Sequence, residues 1–440
     1  MNIKKTTLAN RKVHSISLHA VPLCILTCLS FVFHFISAVF GVRIYIVLVV
    51  VAVFFSVISK GLKLYKPTGV SYFWFLSGLI IVLEYIRSSR QMNTLTDVLV
   101  LLAGIILVTF YPRNSSGYIK SIELMAAFAM FFSVGVFLQR FFPLLYKPIL
   151  SLFPAVFSVS VSRISSNYVT GFSTNPGFTA GYICAGIIAL LSLRERMTKS
   201  KLYVLLITFA VTLLFTGKRG HVAFIVLTVI FCSLLPERKN KKMKRFWNWF
   251  LVLLVSVVAV MIFRDILMTI PGISRIIETF EEVVSGKDVD SVRTRLSMWA
   301  FHLFLSKPLM GIGWGDYRNT VVGNATVAAA LDTHNIYMQL LCETGIVGFL
   351  LIVTAMLTFW ILTSKSYIEC VRNGISGVWK CILHFAFLYQ TYFLMMGLSA
   401  NVLYDQHYQI IYFISCAAFL AFRRFKYSND LVKEKGSKLL

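Results

Sequence analysis

Long apolar runs constrain this chain more than any other feature of its sequence. Each run is near the ~20 residues that an α-helix needs to cross the ~30 Å hydrocarbon core of a bilayer. Charged residues make up 14% of the 440 residues, whereas a soluble domain carries about 25%. We therefore predict an all-α polytopic membrane protein with about twelve transmembrane helices, at roughly 18–37, 41–59, 70–86, 95–111, 120–139, 177–193, 202–216, 220–235, 247–263, 335–362, 379–397 and 405–422.

Basic residues cluster in alternate segments between these runs. Loops that stay in the cytoplasm are enriched in Lys and Arg, so a cytoplasmic N-terminus places most of the clusters inside. Segment 264–334 has seven Lys/Arg and eight Asp/Glu, which suits the outer side. We predict transmembrane helices with short loops over 1–263, a large periplasmic or extracellular loop over 264–334, and transmembrane helices with a basic cytoplasmic tail over 335–440.

The composition argues against two other kinds of site. The formal net charge of +25 would suit nucleic-acid binding, but the basic residues lie in short clusters between apolar runs, and topology explains them better. The eight cysteines lie mostly within apolar runs and lack metal-ligand spacing. We expect no nucleic-acid partner, no metal and no cofactor.

Two basic spots are predicted to meet on the outer face and hold an anion. Lys218 and Arg219 lie at an apparent helix–helix turn, and Arg293 and Arg295 lie in the large loop. Arginine grips phosphate with a planar, permanently charged fork. Of the pair in the loop we favour Arg295, because it directly precedes an apolar run that would hold it firmly. Arg163, in the irregular segment 140–175, would extend this basic set.

A histidine stands next to a helix start in the same region. His334 and Asn335 precede an apolar run, and Tyr337 follows on the same expected face. One interpretation is a helix cap, because Asn is a good capping residue. The other is function, because a helix N-terminus attracts anions and a histidine transfers protons near neutral pH.

Glycine recurs in the turn GIGWGD at 311–316. Neither a Walker A nor a Rossmann motif is present, since the turn lacks the GK[ST] ending and a preceding strand. We expect a tight turn lying against the membrane surface, with Trp314 and Tyr317 at the interface.

Four sequence blocks together resemble the bacterial O-antigen ligase/polymerase superfamily. The resemblance covers roughly residues 171–350, and its most specific block is the one that begins at His334. The blocks are GFSTNPGFTAGY at 171–182, TGKRG at 216–220, RTRLSMW with KPLMGIGWGDYRN at 293–319, and HNIYMQLLCETGIVG at 334–348.

The resemblance implies a GT-C-like helical glycosyltransferase that works without a metal. Its donor would be an undecaprenyl-diphosphate-linked glycan, at the outer face of the bacterial inner membrane. Its essential residues fall on Arg219, Arg295 and His334. Membrane lipids and a chain-length regulator are further implied partners. We assign substrate binding to Lys218, Arg293, Asn335, Tyr337 and Arg163.

The acceptor separates two activities within this family. A polymerase extends another lipid-linked repeat unit, whereas a ligase transfers the glycan to lipid A-core. The complete 311–319 and 334–345 blocks favour a polymerase, and the ligase stays an alternative. A transporter or flippase for an anionic lipid is an alternative of another class, although it would place charges inside its spans.

Overall fold

The computed structural model describes residues 20–58, 69–158, 168–236, 243–251, 262–285, 291–322 and 332–437. These residues contain helices and no strand. Residues 243–251 are also helical. The helices are α1 (Val21–Phe40), α2 (Val42–Ile58), α3 (Ser71–Arg87), α4 (Met92–Thr109), α5 (Ser115–Phe141), α6 (Pro143–Leu150), α7 (Pro176–Leu193), α8 (Lys199–Phe215), α9 (Arg219–Leu234), α10 (Arg264–Leu267), α11 (Pro271–Val284), α12 (Ser291–Ser306), α13 (Tyr317–Val322), α14 (Ile336–Arg372), α15 (Val378–Met396) and α16 (Gln406–Ser437), with 3-10 turns at Ala155–Ser158 and Arg194–Arg196.

The predicted apolar runs coincide with helices wherever the structure describes them. Run 247–263 lies largely outside the described residues. Among the described residues, four helices are long and apolar enough to cross a membrane, namely α1, α5, α14 and α7 with the turn that follows it. Shorter apolar helices lie at Val42–Ile58, Thr94–Thr109 and Arg219–Leu234. The all-helical membrane class is confirmed, while the number of spans stays a prediction.

Burial separates inner helices from outer ones. On α15 every side chain from Cys381 to Phe393 is buried, and α7 and the first half of α16 are almost as enclosed. On α2, Val47 and Phe54 are 59% and 58% exposed. Large apolar side chains on an outer helix face would be costly in water but suit contact with lipid tails.

The segment expected as a large loop is folded into helices where it is described. Helices α10 to α13 lie within 264–334, and residues 286–290 and 323–331 of this segment lie outside the description. Helix α11 packs on α8 and α9, and α12 packs along α14. The segment therefore lies against one end of the bundle.

The glycine turn at 311–316 is buried rather than interfacial, which corrects the expectation for its aromatic residues. Trp314 and Tyr317 are fully buried. Trp314 stacks on Tyr404 at 4.6 Å between ring centroids. The Tyr317 hydroxyl donates to the Leu296 carbonyl at 2.8 Å. The sequence suggested an interface because Trp and Tyr favour one, but here both rings are enclosed by the protein, and the Tyr317 hydroxyl has its partner inside it.

A buried carboxylate holds this turn in place. Glu343 of α14 is fully buried, and it accepts hydrogen bonds from the backbone N–H groups of Gly315 and Tyr317 at 2.7 and 3.2 Å. Gln339 Nε2 at 3.2 Å and the Tyr404 hydroxyl donate to it as well. A buried carboxylate is tolerated only with such partners, so Glu343 ties together α14, the glycine turn and the turn before α16.

Helix α14 is broken directly after this carboxylate. Gly345 has φ 61° and ψ −170°, outside the helical region. The Ile346 N–H donates instead to the Pro308 carbonyl at 2.9 Å. Backbone from the segment before the glycine turn therefore fills the break. The missing side chain of Gly345 therefore permits close approach of the Leu309 and Met310 backbone.

Substituting Gly345 by Ala should destabilise the fold markedly. The new Cβ would lie within 2.6 Å of the Met310 backbone nitrogen, and the conformation is nearly exclusive to glycine, so strain of about 1–3 kcal/mol adds to the clash. Gly374→Ala is the matched control, because Gly374 has φ +64° and nothing within 4 Å. Thermal melting in detergent should show a much larger loss for Gly345→Ala. Equal losses would contradict the described break.

Candidate functional site

Eight chain segments converge on one polar cavity of about 450 Å³ at an end of the bundle. It is bordered by the starts of α7, α9 and α16, the end of α15, and helices α11 to α13. The segment before α14 completes the wall. Its charged lining residues are Lys218, Arg219, Arg275, Arg293, Arg318, Asp332 and Asp405.

The turn between α8 and α9 places two of these cations. Lys218 and Arg219 open α9, as the sequence predicted, and both line the cavity. The Arg219 Nη1 group donates to the Thr279 hydroxyl of α11. From the same helix, Arg275 Nη1 donates to the Gly217 carbonyl at 3.4 Å. Helix α11 thus fixes this basic turn from the side.

An aromatic ring contacts two of the cations. The Lys218 Nζ atom lies 5.7 Å from the centroid of the Tyr168 ring, and the Arg275 guanidinium carbon lies 4.8 Å from it. A π face attracts cations. Tyr168 therefore offsets part of the repulsion between Lys218 and Arg275.

Helix α12 directs its two arginines differently. Arg293 lines the cavity and its Nη1 donates to the Ser399 hydroxyl at 3.1 Å. Arg295 is exposed and is absent from the cavity wall. Residues two positions apart on a helix point about 200° apart, so both cannot face one cavity. The structure therefore joins Arg293, rather than the favoured Arg295, to Lys218 and Arg219.

A carboxylate neutralises one further cation. Arg318 and Asp332 form a bidentate pair, with Nε–Oδ1 at 2.6 Å and Nη2–Oδ2 at 2.5 Å. These hydrogen bonds raise the pKa of Arg318, which stays charged. In the turn before α16, burial and the nearby Asp332 raise the pKa of Asp405 to about 7, against the effect of Arg318.

In the segment before α14, one residue of the His334-Asn335 pair caps the helix and the other lines the cavity. Asn335 is the helix cap, and its side chain accepts from the N–H groups of Tyr337 and Met338 at 3.0 and 3.3 Å. His334 has φ 54°, an unusual left-handed conformation for a non-glycine residue. It lines the cavity. The cap fixes the helix start, and the residue before it reaches the site.

Tyr337, another candidate residue, does not line the cationic cavity. The Tyr337 hydroxyl donates to the Leu394 carbonyl at 2.8 Å, which ties α14 to α15. Arg163 lies outside the described residues.

A second, larger cavity adjoins the first. This groove of about 690 Å³ runs between α12 and the start of α14, and it shares Arg293 and His334 with the cationic cavity. Thr294, Ser297 and Asn335 supply polar groups, while Met298 and Phe301 supply apolar surface. The shared residues stand at the junction of a cationic chamber and an amphipathic groove.

Helix starts add to the positive potential of the cavity. The starts of α7, α9 and α16 border it, and a helix N-terminus carries roughly half a positive charge. Five Lys and Arg residues face two Asp residues across it. Within the described ranges, no three His, Cys, Asp or Glu side chains are grouped as metal ligands. The arrangement can bind a multiply charged anion.

Four charged lining residues were not among the predicted site residues, namely Arg275, Arg318, Asp332 and Asp405. Arg275 lies in segment 264–334, which the sequence analysis characterised only by its nearly neutral total charge. Arg318 lies within the GDYRN part of a block that resembles the family, and this position was the one sequence signal that could have identified it. Asp405 lies far along the chain from the other residues, and its place in the cavity follows from packing alone.

The comparison with known families agrees with this geometry. The O-antigen ligase family (Wzy_C) matches residues 204–353, a stretch that contains Lys218, Arg219, Arg293 and His334. No curated protein matches the chain. Residues 204–353 are therefore similar to the O-antigen ligase family, and this similarity supports a membrane enzyme of O-antigen or polysaccharide assembly.

Proposed function

We propose that this protein transfers a glycan from a lipid diphosphate to the hydroxyl of an acceptor sugar. The observation that carries the proposal is the cavity shared by Lys218, Arg219, Arg293 and His334. The donor would be undecaprenyl-diphosphate-linked glycan, and the site would face the periplasm. This orientation rests on the distribution of basic residues along the sequence.

The cations suit the charge that develops in this reaction. The acceptor oxygen attacks the anomeric carbon of the donor sugar, and the bond from that carbon to the diphosphate oxygen breaks. The lipid diphosphate leaves with the bonding electrons. Fixed cations stabilise the growing negative charge, and Arg219 and Arg293 reach the cavity from different helices.

The junction residue would handle the proton. The acceptor hydroxyl loses its proton as the new glycosidic bond forms. His334 lies between the cationic cavity and the groove, so it can accept this proton from a sugar in the groove. Alternatively, it binds the diphosphate, and the leaving phosphate oxygen takes the proton. Thr294 and Ser297 line the groove opposite His334 and can orient a sugar.

The position of the charges favours an enzyme over a carrier. A carrier would need cations near the middle of its spans. Here the basic lining residues lie at helix ends or in the segment 264–334, among the described residues. The charge of this cavity therefore lies at one end of the bundle, away from the middle of the spans.

The acceptor decides between polymerase and ligase. The sequence blocks favour a polymerase that extends lipid-linked repeat units, with a chain-length regulator as a further partner. Transfer to lipid A-core is the alternative. Both activities use the same donor chemistry, so the same residues serve either one.

Neutralising the cavity cations should abolish glycan transfer. In a deletion strain we expect Arg219→Gln, Arg293→Gln and His334→Ala to lower transfer about 100-fold or more, the usual effect of losing a group that stabilises transition-state charge. Surface polysaccharide resolved by size at matched membrane levels measures this. Loss of long chains with single repeats still attached indicates a polymerase, and polymer retained on the lipid carrier indicates a ligase.

Arg295→Gln and Arg372→Gln complete this series. Arg372 lies at the far end of α14, so its variant should behave as wild type. The resemblance assigns an essential role to Arg295, whereas the cavity geometry assigns it to Arg293. Loss of transfer in Arg295→Gln with full transfer in Arg293→Gln would contradict the geometry. If Arg219→Gln and His334→Ala also show full transfer, the proposed site is wrong.

Asp405 should make anion binding depend on pH. Its pKa is raised to about 7, so it is neutral below that pH and adds a negative charge to the cavity above it. At an effective dielectric constant near 20–40 and a separation of about 8 Å, one such charge should weaken diphosphate binding by roughly fivefold or more.

Calorimetric titration with farnesyl diphosphate at about pH 6 and about pH 8 measures this effect. Asp405→Asn should lose this component of the pH dependence. Ionisation of the diphosphate itself and of the other lining residues contributes to the pH dependence of the wild-type protein and of Asp405→Asn alike. Identical pH dependence in the two proteins would exclude the assigned role.

A further inference from the structure

A third cavity, of about 550 Å³, lies at the opposite end of the bundle. Its wall includes Arg194 after α7, Ser233 in the last turn of α9, and Lys380 in the first turn of α15. The other ends of these three helices border the cationic cavity of the transfer site. The third cavity shares no lining residue with that site.

Helix length fixes the distance between the two ends. Helices α7, α9 and α15 contain 18, 16 and 19 residues. At 1.5 Å per residue they extend about 24–29 Å. This is close to the ~30 Å hydrocarbon thickness of a bilayer. The third cavity therefore lies at the level of the opposite headgroup layer.

Positive charge predominates in this cavity. Arg194, Arg245 and Lys380 line it. Arg245 Nη1 donates to the Ser233 carbonyl at 2.8 Å, where the end of α9 carries partial negative charge. Lys380 pairs with Glu195 at 2.5 Å, and Glu195 is outside the lining. Among the described residues, three cations thus line the cavity and the Glu195 carboxylate lies beside them.

The rest of the wall is apolar and aromatic. Leu191, Leu388 and Val371 line it together with Trp249. The Trp249 Nε1 group donates to the Ser233 hydroxyl at 2.9 Å, which orients the indole within the wall. A cavity with cations beside an apolar and indole surface matches an amphiphile with a charged head and hydrocarbon chains.

We propose that this cavity binds the phosphate headgroup of an anionic phospholipid, with the acyl chains against the apolar wall. Basic pockets between helices at the headgroup level bind such lipids. The site lies at the membrane face opposite to glycan transfer, and it would hold the ends of α7, α9 and α15 together. Its occupation depends on neither the donor nor the acceptor of the transfer reaction.

Trp249 provides the probe for this proposal. The full-length protein is placed in phosphatidylcholine nanodiscs that contain brominated phosphatidylglycerol or, at the same fraction, brominated phosphatidylcholine. Bromine quenches indole fluorescence at contact distance. Subtracting the Trp249→Phe protein isolates the signal of Trp249 from the other tryptophans. We expect the anionic lipid to quench Trp249 at least twofold more strongly.

Charge variants decide whether the headgroup is recognised. Arg194→Gln and Lys380→Gln together should remove the preference, whereas Arg196→Gln should keep it, because exposed Arg196 lies in the same 3-10 turn but outside the cavity wall. Arg245→Gln is a further variant, and thermal melting confirms that each protein is folded. Equal quenching by both lipids, or equal loss in Arg196→Gln, would overturn the proposal.

Inorganic phosphate separates the two sources of the ligand. If millimolar phosphate changes Trp249 fluorescence in pure phosphatidylcholine discs and brominated phosphatidylglycerol shows no preference, the cavity binds free phosphate and the lipid proposal is wrong. If phosphate has no effect while the lipid preference persists, the acyl chains contribute to recognition, as proposed.

Discussion

Repulsion among five cations in one cavity is the constraint on which this structure depends. The surrounding protein offsets this repulsion by giving the cations specific partners rather than by keeping them far apart. One carboxylate takes a bidentate arginine, an aromatic ring lies against two cations, and hydroxyl groups accept from two others. These partners leave the cavity with a net positive charge, which an anionic substrate can neutralise. A site built in this way is stable without its substrate and still attracts it.

The scaffold that holds these cations is itself organised around one buried carboxylate. Glu343 fixes the glycine turn on α14, and the break at Gly345 admits the backbone that leads to that turn. Tyr317 begins α13 directly after the turn, and its backbone N–H is held by the same carboxylate. The next residue is Arg318, which lines the cavity. A short stretch of chain therefore connects the segment held by the buried Glu343 carboxylate to the Arg318 guanidinium in the cavity.

The sequence predicted the helices well, because a span of about 20 apolar residues has few alternatives to a helix in lipid. It also located Lys218, Arg219 and His334, which adjoin apolar runs. It favoured Arg295, whereas of the two arginines Arg293 lines the cavity, because the rotation of α12 about its axis depends on packing against α14. It misplaced Trp314 for a related reason. An aromatic residue beside polar ones suits an interface and a buried stack equally, and the partner Tyr404 lies far along the chain.

The most direct test is an experimental structure of the protein with undecaprenyl diphosphate in a nanodisc. The account predicts both phosphates in the cavity between Arg219 and Arg293, within hydrogen-bond distance of the guanidinium groups and close to His334. The groove along α12 should stay accessible to an acceptor. Phosphates bound beside exposed Arg295, or in the cavity lined by Arg194 and Lys380, would contradict the proposed site.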